Sequence, residues 1–249
     1  MPYLFATEDQ DYSDYAGGQV IYSRPGAPAF PVRLASEMFQ RALAWLRPTG
    51  PLRLYDPCCG GAYHLCALGF LHGAWIASIT ASDIDEEILS LTRRNLRLLT
   101  PQGLEQRAQE IRDLLTQYGK ESHAQALHSL AVLQARLAAL PGGAIPSRVF
   151  RANALDGADL RRELTGTAVD LVLTDLPYGW MTGWQQAGDA PSAALPPAAQ
   201  LLEALLPVLA PGAVVAVAAD KSQKVMHAGY RRLEHFQIGK RQMTLLGRK

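Results

Sequence analysis

Two apolar runs end abruptly in a carboxylate: "AVDLVLTD", closing at Asp175, and "AVVAVAAD", closing at Asp220. Runs this apolar suit strands buried on both faces, which is the environment of a parallel sheet covered by helices. Three further segments read as strands. These are "LRLYD" from Leu52 to Asp56, "AWIASITASD" ending at Asp83, and "RVFRAN" ending at Asn153. Helical patterns lie between them. Ala35, Met38, Phe39, Ala42, Trp45 and Leu46 fall at offsets 0, 3, 4, 7, 10 and 11, one face of a 3.6-residue period. "AYHLCALGFLH" suits a second helix, and "DEEILSLTRRNLRLL" a third that opens with three acids at the positive end of its dipole. Alternating strand and helix predicts an α/β fold built on a doubly wound sheet. The C-terminal "RRLEHFQIGKRQMTLLG" alternates on either side of Ile238-Gly239-Lys240, as an antiparallel hairpin would.

At 249 residues, with 48% apolar residues, the chain is expected to form one domain spanning 1–249. Residues 1–30, rich in Tyr, Gly and Pro, read as an irregular N-terminal arm. Residues 100–146 exceed what a crossover needs and stay helical on both sides of Gly119, so they read as a helical insertion. The apolar run from Ala204 to Ala219 is broken by Pro207, Pro211 and Gly212, which predicts a helix end and a strand, not a membrane span. Three cysteines, two of them adjacent, form neither an even disulfide framework nor paired zinc knuckles. The six histidines show no recurrent ligand spacing, so no metal is expected. The acidic N-terminus is unlike a signal peptide, and a cytoplasmic location is expected. A formal net charge of +1 predicts no polyanion partner by itself, but the last thirty residues carry eight Lys or Arg against Asp220 and Glu234.

Ligands of an open parallel sheet bind at the carboxyl ends of its strands. The first end, "DPCCGG", pairs Asp56 with Gly60 and Gly61, which allow a tight turn and close backbone approach. It lacks the G-x-G-x-x-G fingerprint, so a nicotinamide-type oxidoreductase is a poor reading. An acid beside a short glycine loop instead suits an amino-acid end, with Asp56 toward an ammonium and the loop amides toward a carboxylate. A plain capping Asp is the alternative. Asp83 ends the second strand about 25–30 residues later, near where such folds place a ribose acid; the alternative is an N-cap for the next helix. Asn153, the backbone of Ala154, or Asp156 could read an adenine edge, though Asn and Asp are also common in turns. At the fourth end, "TDLPYGW", Asp175 and the carbonyl after it accept from a planar N–H donor. Pro177 fixes the backbone, and Tyr178 offers a stacking face. The alternative is a Pro-Tyr-Gly turn whose tyrosine belongs to the core.

Together, in this order, the four ends resemble the class I S-adenosylmethionine-dependent methyltransferases, whose fold is Rossmann-like. "DPCCGG" resembles their Asp-Pro-x-Cys-Gly-Ser-Gly motif, departing at Gly61-Ala62. "DLPYG" resembles the Asp/Asn-Pro-Pro-Tyr motif of amino-group N-methyltransferases, with Leu176 for the first proline. The likeness runs from about Leu52 to Leu246, leaving the insertion unmatched. Within the family, the chain is similar to the avilamycin-resistance methyltransferases, which act on a guanine of 23S ribosomal RNA. The resemblance implies S-adenosyl-L-methionine as cofactor, held by Asp56, Cys58, Gly60, Gly61, Asp83, Ile84, Asn153 and Ala154. It implies Asp175, Pro177 and Tyr178 as the catalytic set. It further implies 23S ribosomal RNA, or the large ribosomal subunit, as partner, and antibiotic resistance as outcome. Guanine N1 and N2 both stay open, with the amino-type motif leaning to N2. A protein glutamine amide offers the same planar N–H, and a non-catalytic nucleic-acid binder is a further alternative. Arg24, Arg33, Lys221, Lys224, Arg231, Arg232, Lys240 and Arg241 are the candidate RNA contacts, each of which taken singly also reads as a plain surface charge.

Overall fold

The computed structural model describes residues 3–8, 10–24, 30–177 and 195–249. Five strands run parallel: β1 (Leu52–Asp56), β2 (Ile76–Asp83), β3 (Ser147–Arg151), β4 (Val169–Asp175) and β5 (Leu209–Asp220). The hairpin β6 (Tyr230–Ile238) and β7 (Arg241–Arg248) completes a seven-stranded sheet of order β3-β2-β1-β4-β5-β7-β6, β7 lying antiparallel to β5. Strand order reverses between β1 and β4. The crevice of such a sheet therefore opens at the ends that carry Asp56 and Asp175.

Helices cover both faces. On one side α1 (Val32–Leu46), α2 (Tyr63–His72), α3 (Glu86–Arg97), α4 (Pro101–Tyr118) and α5 (Glu121–Ala138) pack Met38, Phe39, Leu65, Leu68, Leu96 and Leu133 over Leu54, Leu171, Leu173 and Ala216. On the other, α6 (Gly157–Glu163) and α7 (Pro197–Leu205) pack Leu160, Leu201 and Leu202 over Tyr55, Val172, Val215 and Val217. Successive strand residues alternate between these two cores, as the pleat requires. Of the residues expected on the inner face of α1, Trp45 is the exception. It is 47% exposed, its ring N–H donating to Glu234 Oε2 at 3.1 Å on the hairpin. The expected hairpin break at Gly119 is a left-handed C-cap of α4 (φ 61).

Among its described residues the arm has one short 3-10 turn, Ser13–Tyr15, yet these residues are tightly docked. Glu37 of α1 is fully buried and accepts the Leu4, Phe5 and Ala6 N–H groups at 2.6, 3.0 and 2.8 Å, and Arg41 Nε at 2.7 Å. Burial pushes its carboxyl up, and those donors more than reverse the effect, holding it below the usual carboxylate range. Further along, Tyr15, Val20 and Ile21 are buried, and Arg107 of α4 donates to the carbonyls of Val20 (3.0 Å) and Gln19 (2.5 Å).

Candidate functional site

The loop after β1 is fastened from three sides. Asp83 at the end of β2 accepts the Gly60 N–H at 2.9 Å through Oδ2 and the Asp85 N–H at 3.1 Å through Oδ1. Burial raises its carboxyl, and these two bonds act against that. The Cys59 N–H donates to the Ser82 carbonyl at 3.0 Å. From α3, Thr92 Oγ1 donates to the Gly60 carbonyl, and Asn95 Nδ2 donates to the Gly61 carbonyl at 2.7 Å. Asn95 also exchanges both amide hydrogen bonds with the backbone of Tyr22, so one buried side chain joins the loop to the arm.

The two glycines have different reasons to be there. Gly60 takes φ +49 and its missing Cβ would meet nothing within 4 Å, so that side of the loop faces open space. A Cβ on Gly61 would stand 2.9 Å from Leu91 Cδ2; here the need is for α3 to come close. Ala62, at the motif's departure, takes φ 53 and ψ 28 despite its Cβ, a left-handed conformation costing about 1–2 kcal/mol. The N-cap alternative for Asp83 does not hold, since α3 is capped by Asp85, which accepts the Glu87 N–H at 2.9 Å.

Asp56 is fully buried. Its Oδ1 accepts the Cys58 N–H at 3.0 Å, and its Oδ2 lies 2.9 Å from His64 Nε2, close without hydrogen-bond geometry. Burial, ahead of the Asp56 charge, pushes the Cys58 thiol well up, so it stays a neutral lining group. Asp175 lies on the neighbouring strand end. Burial lifts its pKa to about 6, against the opposing charges of Arg241 and His64. Arg241 Nη2 stands 3.6 Å from Asp175 Oδ2. Among the described residues, Asp56 Oδ2, His64 Nε2 and Asp175 Oδ1, on the face covered by α2, are buried side-chain atoms without a hydrogen-bond partner. Buried polar atoms are normally paired, so this grouping at the sheet's switch point fits a ligand with hydrogen-bond donors. An ammonium with three N–H groups meets that requirement, and the amino-acid end of S-adenosylmethionine carries one.

The remaining expected residues divide. Asn153 Oδ1 accepts the Leu155 N–H at 3.0 Å in a local turn, and its own N–H goes to Asp159 Oδ2 at 2.9 Å. Ala154 is packed in the core, and Asp156 caps α6 through Ala158 and Asp159 N–H. The Ile84 carbonyl accepts Arg151 Nε at 3.0 Å. The Pro177 carbonyl accepts Gln223 Nε2 at 3.2 Å. Tyr178 lies outside the described residues. Of the expected RNA contacts, Arg33 is occupied with the Ala6 and Thr7 carbonyls. Register separates the others. Lys240 lies in the hairpin turn and Arg241 opens β7 opposite Asp220, beside Lys221 and Lys224, at the edge that carries Asp175. Arg231 pairs with Gly247 at the other end, about 24 Å away for seven strand residues.

His64, Asn95 and Gln223 were missed by sequence reasoning. The one available signal was the position of His64 just inside the helix that follows the glycine loop. A cavity of about 480 Å³ lies between α6 and α7, lined by Arg161, Gln200, Glu203 and Arg248, and includes none of Asp56, Asp83 or Asp175. It is no part of this site. Among the described residues no cluster of three His, Cys, Asp or Glu side chains could hold a metal ion, and no helix is long and apolar enough to cross a membrane.

Comparison with known proteins places the chain in a family. The family model described as rRNA methyltransferase AviRa matches residues 1–241. A curated relative, the 23S rRNA (guanine(2535)-N(1))-methyltransferase of Streptomyces viridochromogenes, is 45% identical over 244 residues, covering 98% of this chain and 95% of the relative. A solved structure of rRNA methyltransferase AviRa from the same organism superposes with a TM-score of 0.87 at 44% identity, covering 99% of this chain and 96% of that one. TrmN from Thermus thermophilus matches with a TM-score of 0.51 at 16% identity, over 88% of this chain and 49% of that one, a likeness of fold alone.

Proposed function

The chain belongs to the AviRa family of rRNA methyltransferases, and from that premise we propose that it methylates ring N1 of a guanine in 23S ribosomal RNA, with S-adenosyl-L-methionine as donor. The observation that carries the choice of atom is Asp175, partly buried at the switch point with a pKa raised to about 6. Neutral guanine holds a hydrogen on N1 and no free in-plane lone pair, so N1 must lose that proton as the methyl arrives. A carboxylate poised near neutrality is the general base this requires. The amino-type motif leans toward N2, but an exocyclic amine has less need of such a base, and the curated relative is named for N1.

When bound, S-adenosylmethionine supplies a methyl group on a sulfonium, already a strong electrophile, so the protein's task is mainly placement. Asp56 offers an acceptor to the ammonium, Asp83 to the ribose, and the open side of Gly60 admits the ligand to the loop. Asp175 Oδ1 takes the N1 proton. With the Pro177 carbonyl engaged by Gln223, the neighbouring N2 amino group falls to the Leu176 carbonyl. The Tyr178 ring, next in sequence, is the stacking face for a base drawn out of its helix. Methylation would protect the ribosome from avilamycin-type antibiotics.

The direct test is incubation of labelled donor with 23S rRNA and with assembled subunits, followed by primer extension. A methyl on N1 blocks the Watson–Crick edge and gives a strong stop at one guanine. Label in protein, or in RNA with read-through, would overturn the N1 assignment.

Exposed Lys221, Lys224 and Lys240 surround the mouth on the Asp175 edge, whereas Arg231 and Arg232 do not. Replacing the three lysines by alanine should lower kcat/KM for RNA about 10–100-fold and reduce the slope of its logarithm against log salt by roughly 2–3. An Arg231→Ala, Arg232→Ala double variant should stay within about twofold. Equal losses in the two variants would refute this footprint.

A further inference from the structure

His64 is the second residue of α2 and is almost fully buried, its Nε2 2.9 Å from Asp56 Oδ2. Its ring meets the edge of Phe30 with centroids 5.6 Å apart, and the Arg241 guanidinium lies 5.4 Å from the centroid of that same Phe30 ring. The pleat sends Asp56 and Asp175 to one face of the sheet, the face covered by α2. Leu54 and Leu173, two residues before each, pack in the core on that side. The imidazole thus stands against the carboxylate oxygen that the proposed reading gives to the cofactor's ammonium.

We propose that His64 is a positioning residue of the amino-acid subsite, competing with the ammonium of the cofactor for Asp56 Oδ2. The inference rests on the reading that Asp56 takes that ammonium. An imidazolium satisfies Asp56 and repels a second cation beside it; a neutral imidazole does neither strongly, and the carboxylate is released to the ligand. A ligand that brings a cation is opposed by a protonated His64 and accepted once the imidazole is neutral, so ligands with an amino-acid end should bind more tightly as pH rises. Among the described residues, the charged groups near His64 are Asp56 from β1, Asp175 from β4 and, across the Phe30 ring, Arg241 from β7. Asp175 also ionises as pH rises and attracts the ammonium in the same direction, and its share persists when His64 is replaced. Arg241 stays charged throughout.

Calorimetry on the full chain with S-adenosylhomocysteine and with methylthioadenosine, which lacks the amino-acid end, tests this from about pH 5.5 to 8. In the unaltered protein the Kd for S-adenosylhomocysteine should fall about tenfold or more across the range. His64→Gln should flatten that change several-fold and bind more tightly than the unaltered protein at the acid end; His64→Asn serves where the glutamine variant does not fold. Methylthioadenosine should show no comparable slope in either. An unchanged slope in the folded His64 variant, or the same slope with methylthioadenosine, overturns the proposal. Asp56→Asn separates the two ideas. If it leaves S-adenosylhomocysteine binding intact, the reading of Asp56 itself fails; if it weakens binding while the His64 variants keep the full slope, only the role of His64 fails.

Discussion

Asp175→Asn should lower methyl transfer to 23S rRNA by about a thousandfold or more while S-adenosylhomocysteine binding changes by only a few-fold. Asparagine keeps a hydrogen-bond acceptor where Asp175 Oδ1 stands but cannot take a proton. It therefore separates holding the base from deprotonating it, two roles that alanine would remove together. Asn occupies this place in many amino-group methyltransferases, so activity within about tenfold of the unaltered enzyme would speak for transfer to N2 and against N1. Single-turnover rates of the unaltered enzyme should climb as pH rises through about 6 and then level off, since only the ionised carboxylate is a base. Stability should move the other way. A carboxyl whose pKa is higher folded than unfolded binds its proton more tightly in the folded state. Its contribution is therefore greatest below the unfolded value of 3.8 and is lost as pH rises through about 6. At neutral pH the ionised group opposes folding, by an amount on the order of 1 kcal/mol given its partly solvated setting beside Arg241. The asparagine variant should thus melt roughly 2–4 °C higher while being nearly inactive. A melting point that fell would show that Asp175 is held by partners stronger than its burial.

Four of the five parallel strand ends were legible because the chain leaves the core on a carboxylate: β1 at Asp56, β2 at Asp83, β4 at Asp175 and β5 at Asp220. Where an apolar run stops at an acid, the backbone has reached the sheet's edge, and both the fold and the acids of the site follow from that. What stayed hidden depends on pairings distant in sequence. Burial of Val20 and Ile21 has no local period, since it is set by Arg107 and Asn95 on helices about 75–90 residues away. Helix α6 has seven residues and one buried side chain, Leu160, too little for periodicity to register. Its only signal was the capping Asp156, which reads equally as an adenine contact. Nor does charge alone distinguish Lys240 from Arg231; register places one beside Asp175 and the other across the sheet. His64 escaped for a similar reason. Its partner is a carboxylate eight residues earlier, brought back to it only when the glycine loop turns.

Gly103 should be the least replaceable residue of the helical segment, and the reason connects that segment to the site. Helix α3 ends at Arg97 and α4 begins at Pro101, so three residues join them. Thr100 caps α4, accepting the Gly103 N–H at 3.1 Å and donating to the Arg97 carbonyl at 2.8 Å. A Cβ on Gly103 would lie 1.9 Å from that same carbonyl oxygen and 2.5 Å from its carbon. Both are backbone atoms, fixed by the end of α3, so no side-chain movement relieves the clash and the first turn of α4 has to shift. Gly103→Ala should therefore cost on the order of 3 kcal/mol or more, lowering the melting temperature by roughly 6–12 °C. Gly119→Ala is the control: its φ is +61 but nothing lies within 4 Å, so only backbone strain of about 1–2 kcal/mol is expected. The shift should reach the cofactor loop as well. Arg107, one turn beyond Gly103, holds the Gln19 and Val20 carbonyls, and Tyr22 two residues on is joined through Asn95 to Gly61. Folded Gly103→Ala protein should consequently bind S-adenosylhomocysteine several-fold more weakly. A variant that melts within about 2 °C of the unaltered chain would mean that α4 can slide on α3, and the arm could not then be what steadies the loop.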